Sequence, residues 1–400
     1  MRLLFVVQRY GRQVAGGAEL CCRQFATRLA RRGHDVDVLT TCALSYVDWA
    51  NVLPPGVEQI DGVNVHRLAV RRPRNNELFG LLNARTVAGR KPVPLYLQVE
   101  WMRAQGPLVE GIAGWLEDRA TGYDAVVFFT YLYYTTWAGL PAAAGRVPTI
   151  LHPTAHDEPP LYLPLFDMVF RLPDAFGYLT EEEGDLVRRR FRVNRPSKVV
   201  GIGVELDAEG DAAAFRQAFG LGDRPYLVYV GRLDPHKGTD ELYEFFAAYK
   251  RRNPGPLALV VVGEPVKVAP EHDDLVVTGF VDESVKRGAI EGALALVHPS
   301  YFESFSMVLT EAWAQRKPAL VQGHCEVLAG QARRSGGALP YVGYAEFEAA
   351  LDLLVGDPAL QVELGRSGRR YVEQHYAWDH VLDGYEELLS LARATAPEMS

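Results

Sequence analysis

Residues 3–41 of the chain read LLFVVQRYGRQVAGGAELCCRQFATRLARRGHDVDVLTT. Residues 3–7 form an apolar run rich in strand-favouring side chains, and residues 18–32 carry apolar side chains at helical spacing. Gly33 is suited to end that helix, and residues 35–41 predict a second strand. This strand–helix–strand order implies a parallel sheet with right-handed crossovers.

Similar patterns continue along the chain, interrupted at residues 206–224, which are rich in Asp, Ala and Gly and predict a domain junction. We therefore predict an α/β protein with two parallel-sheet domains, residues 1–205 and 206–380. Two such domains leave a cleft between the carboxyl ends of facing strands, where ligands bind. Further strands are predicted at 125–130, 148–152, 174–179, 197–201, 225–230, 258–262, 275–278, 294–298 and 318–321. Further helices are predicted at 180–191, 239–251, 284–292, 305–315, 346–355 and 358–387.

The composition is that of a globular protein, with 400 residues of which 48% are apolar and 23% charged. Because no apolar run reaches 18 residues and no signal peptide is recognisable, we expect a cytoplasmic protein. The four cysteines lack metal-ligand spacing, so no metal site is predicted. Residues 1–200 carry a net charge of +4 and residues 201–400 one of −12. This imbalance is too small to indicate nucleic-acid binding.

Two glycine-containing loops suit a phosphorylated ligand. The loop GRLDPHKG at residues 231–238 follows a predicted strand: Gly231 permits close backbone approach, and Arg232 and Lys237 can converge on a pyrophosphate. Gly16-Gly17 opens the first predicted helix, where a phosphate can approach the N-terminus. Taken alone, the first could equally be a surface loop with solvated cations, and the second more often marks an ordinary turn.

A third loop, ESFSMVLTE, occupies residues 303–311 between a predicted strand and helix. Ser304 is placed to cap that helix, and the first N–H groups of a helix form an anion site. Glu303 and Glu311 are about 12 Å apart by helical rise, which suits hydroxyls at the two ends of a sugar nucleotide. The N–H groups of the predicted anion site belong to Phe305, Ser306 and Met307.

Together these loops resemble the retaining glycosyltransferases of family 4, also called group 1. The resemblance rests on the Gly-Gly loop, Gly231-Arg232 with Lys237-Gly238, and the motif His-Pro-Ser-x-x-Glu-Ser-Phe followed by a second glutamate, and it spans nearly the whole chain. It implies the GT-B fold of two facing Rossmann-like domains, with the last helix, about 381–400, returning to the N-terminal domain. One departure is Ser306, where the family usually has glycine.

The resemblance also implies roles for the residues of these loops. Arg232 and Lys237 would neutralise the donor pyrophosphate, Glu303 would accept bonds from donor-sugar hydroxyls, and Glu311 would bind the nucleotide ribose. The N–H groups at the start of the helix would bind phosphate or sugar.

Two positions in the first half of the chain also gain a role from the resemblance. Gly17 would cap the donor phosphate, and His156 resembles a family histidine beside the donor sugar. The alternative for His156 is a histidine that only satisfies a backbone carbonyl.

The resemblance implies an enzyme that moves a sugar from a UDP- or GDP-linked donor to a glycan, glycolipid or small-molecule hydroxyl. We expect a hexosyltransferase of glycan, glycolipid or envelope polysaccharide biosynthesis that works without metal or cofactor. The alternatives are a nucleotide-sugar epimerase or a glycan phosphorylase, which share this architecture. A two-lobed sugar-binding protein is the non-enzymatic alternative.

Residues 67–105 predict an acceptor platform. This segment combines basic side chains with large apolar ones, a mixture that could also dock peripherally on the anionic inner face of a membrane. An ordinary solvated surface over a helical core is the alternative. The basic residues are Arg71, Arg72, Arg74, Arg85, Arg90, Lys91 and Arg103, and the apolar ones include Leu78, Phe79, Leu81, Leu82, Tyr96 and Trp101.

Overall fold

The computed structural model describes residues 1–14, 16–89, 92–233, 237–264 and 269–395. The chain divides into an N-terminal unit, Met1–Val200 with Leu382–Ser400, and a C-terminal unit, Gly201–Val381. Each unit has its own sheet.

The sheet of the N-terminal unit has the strand order β3-β4-β2-β1-β5-β6-β7-β8, and all neighbours are parallel except the β3–β4 hairpin. Its strands are β1 (Arg2–Val6), β2 (Asp35–Thr41), β3 (Gly56–Ile60), β4 (Val63–Leu68), β5 (Ala125–Phe129), β6 (Thr149–His152), β7 (Ala175–Tyr178) and β8 (Ser197–Val199). Its helices are α1 (Gly17–Arg31), α2 (Asn76–Thr86), α3 (Leu95–Gln105), α4 (Ile112–Arg119), α5 (Tyr134–Ala143), α6 (Asp167–Arg171) and α7 (Glu181–Phe191).

The C-terminal unit has a parallel sheet of order β11-β10-β9-β12-β13-β14. Its strands are β9 (Tyr226–Val230), β10 (Ala258–Val262), β11 (Leu275–Gly279), β12 (Ala295–His298), β13 (Ala319–Gln322) and β14 (Ala338–Tyr341). Its helices are α8 (Ala212–Ala218), α9 (Thr239–Arg252), α10 (Glu283–Glu291), α11 (Met307–Ala314), α12 (Glu326–Ser335), α13 (Tyr344–Gly356) and α14 (Pro358–His375), and α15 (Trp378–Thr395) leads back into the N-terminal unit.

In each sheet there is a switch point, where the chain stops adding strands on one side of the first strand and begins adding them on the other side. In the first sheet β1 lies between β2 and β5, and in the second β9 lies between β10 and β12. The strands at these points are buried except at one end residue each, as expected when helices cover both faces. Ligands of such sheets bind at the carboxyl ends of the strands beside the switch point. The loops after β1, β9 and β12 carry the predicted phosphate-binding residues.

One predicted helix is wrong: residues 358–387 form two helices, α14 and α15, rather than one. The break has a physical cause, because Val204 donates its N–H to the carbonyl of Tyr376 at 2.9 Å and forms an isolated bridge with Ala377. Because Tyr376 and Ala377 pair with the backbone of Val204, the helix ends before them. Gly201 adopts φ +65°, and a side chain there would meet the Tyr376 ring at 2.5 Å.

Candidate active site

The loops after β9 and β12 meet because these strands are neighbours in the sheet. Gly238 makes the approach possible: a Cβ at this position would lie 2.2 Å from the Pro299 carbonyl oxygen. Its φ of +74° is also in the left-handed region that favours glycine. The preceding residue, Lys237, then reaches Glu303, with Nζ 2.7 Å from Oε1. Two residues that are 66 positions apart in sequence therefore form one ion pair.

Glu303 is held as an ionised carboxylate. Its side chain is 12% exposed, and burial alone would favour the neutral form. The charge of Lys237 and the nearby His298, with Nε2 3.4 Å from Oε1, outweigh burial and hold the pKa of Glu303 well below its usual range. Glu303 is therefore suited to accept hydrogen bonds rather than to donate a proton.

Arg232 lies near the start of the loop that carries Lys237, and its side chain is exposed. Its backbone is anchored, because the Tyr229 hydroxyl donates a hydrogen bond to the Arg232 carbonyl at 2.8 Å. Gly231, with φ +154°, packs so tightly that a Cβ would lie 2.9 Å from that hydroxyl. The predicted loop also includes residues 234–236, which lie outside the described residues.

The helix after the second loop begins later than predicted, and its cap is a different serine. The cap residue of α11 is Ser306, whose side chain accepts the Leu309 N–H at 3.4 Å, whereas Ser304 was expected to cap a helix starting at residue 305. Ser306 has φ +77°, a conformation that glycine adopts without strain. This backbone explains why glycine is usual there in the family. The N–H groups left without an intrahelical acceptor begin at Met307.

Phe305 is a core residue rather than an open ligand contact. Its side chain is 2% exposed and packs edge-on against Tyr376, with ring centroids 5.0 Å apart. Its carbonyl accepts a hydrogen bond from the Gln331 side chain at 2.5 Å. Any ligand contact of Phe305 is therefore limited to its backbone N–H.

Glu311 lies in the second turn of α11 and has a different cation from Glu303. Lys286 on α10 places Nζ 3.0 Å from each carboxylate oxygen of Glu311 and 2.8 Å from Glu283. Burial raises the pKa of Glu311, and Lys286 opposes that rise. The two glutamates thus belong to separate ion pairs.

In the N-terminal unit, the Gly-Gly loop contains a buried ion pair that the sequence analysis did not identify. Arg9, from the loop after β1, donates through Nε to Glu19 at 2.8 Å, and both side chains are less than 10% exposed. A Cβ at Gly16 would lie 2.3 Å from the Glu19 carboxylate, so a larger residue there would disturb this ion pair. At Gly17 a Cβ would meet nothing within 4 Å, which leaves open space beside the first turn of α1.

His156 lies in the loop after β6, at the same edge of the sheet as the Gly-Gly loop. Its Nδ1 is 3.6 Å from Glu158, which accepts a hydrogen bond from the Tyr131 hydroxyl at 2.9 Å. The loop is fixed by Glu183, a fully buried carboxylate that accepts the Ala155 N–H at 2.7 Å. The sequence analysis predicted a helix at 180–191 but assigned no role to Glu183.

The predicted site residues therefore form two groups. In the C-terminal unit, Lys237 contacts Glu303, and Ser306, Met307 and Glu311 follow on or beside α11. In the N-terminal unit, Gly17 and His156 lie at the carboxyl edge of the first sheet. In the described parts of the chain, no group of three or more His, Cys, Asp or Glu residues is placed to hold a metal ion. Among the described helices, none is long and apolar enough to cross a membrane.

Two family models match the chain: "Glycosyl transferases group 1" covers residues 211–371, and "Glycosyl transferase 4-like domain" covers residues 16–203. The chain is a group 1 glycosyltransferase. The resemblance to this family that was drawn from the loops is confirmed.

One curated relative of the transferase is D-inositol 3-phosphate glycosyltransferase from Saccharomonospora viridis, 28% identical over 98% of this chain and 94% of the relative. Sucrose-phosphate synthase from Thermosynechococcus elongatus superposes with a TM-score of 0.73 at 19% identity, covering 98% of this chain and 99% of the synthase. Anabaena HepE, solved in complex with UDP-glucose, gives 0.68 at 15% identity, covering 98% of this chain and all of that one. These structural similarities confirm the predicted GT-B fold.

Proposed function

We propose that the transferase moves a sugar, with retention of anomeric configuration, from a UDP- or GDP-linked donor to an acceptor hydroxyl. The observation that carries this proposal is the Lys237–Glu303 ion pair beside the start of α11, at the switch point of the second sheet. HepE, which shares the fold, was solved with UDP-glucose, and this supports a nucleotide-sugar donor.

The geometry suits departure of a nucleoside diphosphate. As the glycosidic bond breaks, negative charge grows on the leaving phosphate, and a preformed cation and helix N–H groups stabilise that charge. Lys237 and the first turn of α11 supply them, with Arg232 on the same loop. Glu303, which is ionised, accepts hydrogen bonds from the sugar hydroxyls. The leaving phosphate itself would take the proton of the attacking hydroxyl on the same face of the sugar.

The direct test is to incubate the transferase with UDP- and GDP-sugars and measure the release of free nucleotide with and without acceptor. We expect release that depends strongly on the acceptor and continues in EDTA, because protein cations neutralise the pyrophosphate. A change of the donor sugar without acceptor would instead indicate an epimerase, and release of sugar phosphate a phosphorylase. Activity lost in EDTA and restored by Mg²⁺ or Mn²⁺ would contradict metal independence.

The two glutamates should have separable roles. Glu303→Ala is expected to impair sugar transfer while leaving the affinity for the free nucleoside diphosphate near normal. Glu311→Ala should weaken that affinity directly, because a ribose contact is made in the ground state and the transition state alike. Calorimetry with the diphosphate alone measures the difference. Equal affinities in the two variants would contradict this division.

For the acceptor, we propose a hydroxyl compound bound by the N-terminal unit. The curated relative acts on an inositol phosphate, which supports a small phosphorylated or glycan-like acceptor. Within the segment 67–105, helices α2 and α3 carry exposed apolar side chains. The exposed apolar side chains are Leu78, Leu81, Leu95 and Tyr96. Arg90 and Lys91 lie outside the described residues.

Three arginines of the predicted acceptor platform, Arg71, Arg72 and Arg74, differ in their exposure and contacts. Arg71 and Arg72 are exposed, with Arg71 paired to Glu110. Arg74 is half-buried: it bonds the Gln105 carbonyl and stacks over Phe79, 4.5 Å from the ring centroid. Arg74 therefore supports the helical core, and a test of acceptor binding must leave it in place.

Arg71→Ser with Arg72→Ser is expected to raise the acceptor KM several-fold and to leave donor hydrolysis unchanged. If the acceptor is lipid-linked, the double variant should also float less with anionic liposomes at low salt, since each well-placed cation contributes about 1 kcal/mol. Arg188→Ser, an exposed cation outside this segment in an (i, i+3) pair with Asp185, is the control. Unaltered acceptor kinetics and no flotation of the parent protein would make this segment an ordinary solvated surface.

A further inference from the structure

A groove of about 780 Å³ lies on the surface of the C-terminal unit, where α14 passes the loop 315–318 that joins α11 to β13. Because this loop precedes β13, it lies at the amino edge of the sheet, whereas the loops after β9 and β12 leave the carboxyl edge. The groove is rich in positive charge although residues 201–400 carry a net charge of −12. Its charged side chains are those of Arg316, Arg366, Arg369, Arg370, Glu363 and Glu373.

The α14 side of the groove is one face of the helix, because positions 359, 363, 366, 370 and 373 follow at intervals of three or four residues. The helix approaches the loop closely at Gly365, where a Cβ would lie 2.0 Å from the Arg316 carbonyl oxygen. Arg369 joins the two elements: it donates to the Ala314 carbonyl at 2.6 Å and through Nε to Glu373 at 2.5 Å. Arg369 therefore supports the groove with donors that are already used, and the other three arginines remain to meet a ligand.

Arg316 holds its place in the groove at a cost in backbone strain. Its φ of +56° is in the left-handed region, which glycine adopts freely and other residues adopt with a loss of stability. The side chain is exposed, and within the described residues its guanidinium makes no hydrogen bond or ion pair that would offset this loss. Backbone strain of this kind clusters at functional sites. Arg366 is likewise exposed and makes no ion pair in the described parts of the chain.

We propose that this groove binds a sugar or polyol phosphate, at a site separate from the donor and acceptor sites. Guanidinium groups bind phosphate oxygens through paired, charge-assisted hydrogen bonds, and Arg316, Arg366 and Arg370 supply them. Glu363 would repel a bare phosphate, but its exposed carboxylate can accept hydrogen bonds from hydroxyls that neighbour the phosphate. The volume is within the range of roughly 300–1,000 Å³ that is usual for small-molecule sites.

The experiment is calorimetry of the full-length protein with glucose 6-phosphate, fructose 6-phosphate and inositol 1-phosphate, and with inorganic phosphate and glucose for comparison. At least one of the three esters should bind about tenfold or more tightly than inorganic phosphate, and glucose should not bind. Arg366→Ala and Arg316→Gly should each weaken the binding of that ester about tenfold or more, as expected for a hydrogen bond between charged groups. Arg316→Gly should do so without lowering the thermal midpoint, because glycine adopts the left-handed backbone without strain. Arg251→Ala, which removes an exposed cation of α9 outside the groove, is the control.

Two further variants decide what the site recognises and where it is. Glu363→Ala should reduce the preference for the ester over inorganic phosphate, and an unchanged preference would overturn the contact with hydroxyls. Lys237→Ala should bind the ester as the wild type does. Ester binding that Arg316→Gly and Arg366→Ala leave unchanged would overturn the groove as its site, and its loss in Lys237→Ala would then assign the ester to the loops after β9 and β12. The proposal also fails if none of the three esters binds the wild type.

Discussion

Replacing Lys237 with alanine is expected to lower turnover by about a hundredfold or more, the usual cost of losing one preorganised partner of transition-state charge. The structure places this ammonium group on a loop fixed by Gly238, so its charge is in position before the donor binds. Removing it deletes a charge that no solvent molecule replaces with the same orientation. The measurement is the steady-state rate with saturating donor and acceptor.

The loss could also arise indirectly, because Lys237→Ala leaves the Glu303 carboxylate largely buried without its cation. The double variant Lys237→Ala, Glu303→Gln removes that unpaired charge, so it should recover thermal stability but not activity. Arg251→Ala takes an exposed charge from the far end of α9 and serves as the control for net charge. Wild-type turnover in Lys237→Ala would remove the phosphate role from this loop.

The fold was predictable wherever the strands are buried on both faces. The continuous apolar runs of β1, β5, β9, β10 and β12 distinguish them from the helices between them. Strand β4 was missed although its positions alternate between buried and partly buried, and β3 was missed because it lies at the edge of the sheet and its side chains are exposed or only partly buried. Such a strand has neither an apolar run nor a clear alternation of apolar and polar residues.

For the site, the sequence was enough to predict that the loops carrying Lys237 and Glu303 both follow strands of the second sheet. Glycines flank the Lys237 loop and a histidine precedes the Glu303 loop, and these are local signals. The start of α11 was misplaced by two residues because Ser304 and Ser306 are both good capping residues, and only the left-handed backbone at Ser306 decides between them. Lys286 contacts Glu311 on another helix, and Glu183 contacts the loop at Ala155. Neither contact can be predicted from the spacing of residues along the sequence.

Glu183 is a buried carboxylate that should make the stability of the N-terminal unit depend on pH. Its carboxylate accepts the N–H groups of Ala155 and Leu179, each at 2.7 Å, and so ties the His156 loop to the start of α7. Glu183→Ala leaves two buried donors unpaired, at about 1–3 kcal/mol each. We expect a lower thermal midpoint and, through the loosened loop, lower turnover. Glu182→Ala, one position earlier in the same helix turn but outside the buried set, is the control.

Burial raises the pKa of Glu183 to about 7, from an ordinary value near 4.5. The folded protein therefore binds this proton more tightly than the unfolded chain does, so between pH 4.5 and 7 its contribution to stability falls as pH rises. The full shift corresponds to about 3 kcal/mol. Glu183→Gln cannot titrate. The stability of the wild type relative to Glu183→Gln should therefore decline from pH 5 to pH 7 and stay constant above pH 7. Thermal midpoints of both proteins at pH 5, 6, 7 and 8 measure this difference, and a difference independent of pH would show that Glu183 stays ionised throughout, with its two N–H bonds outweighing burial.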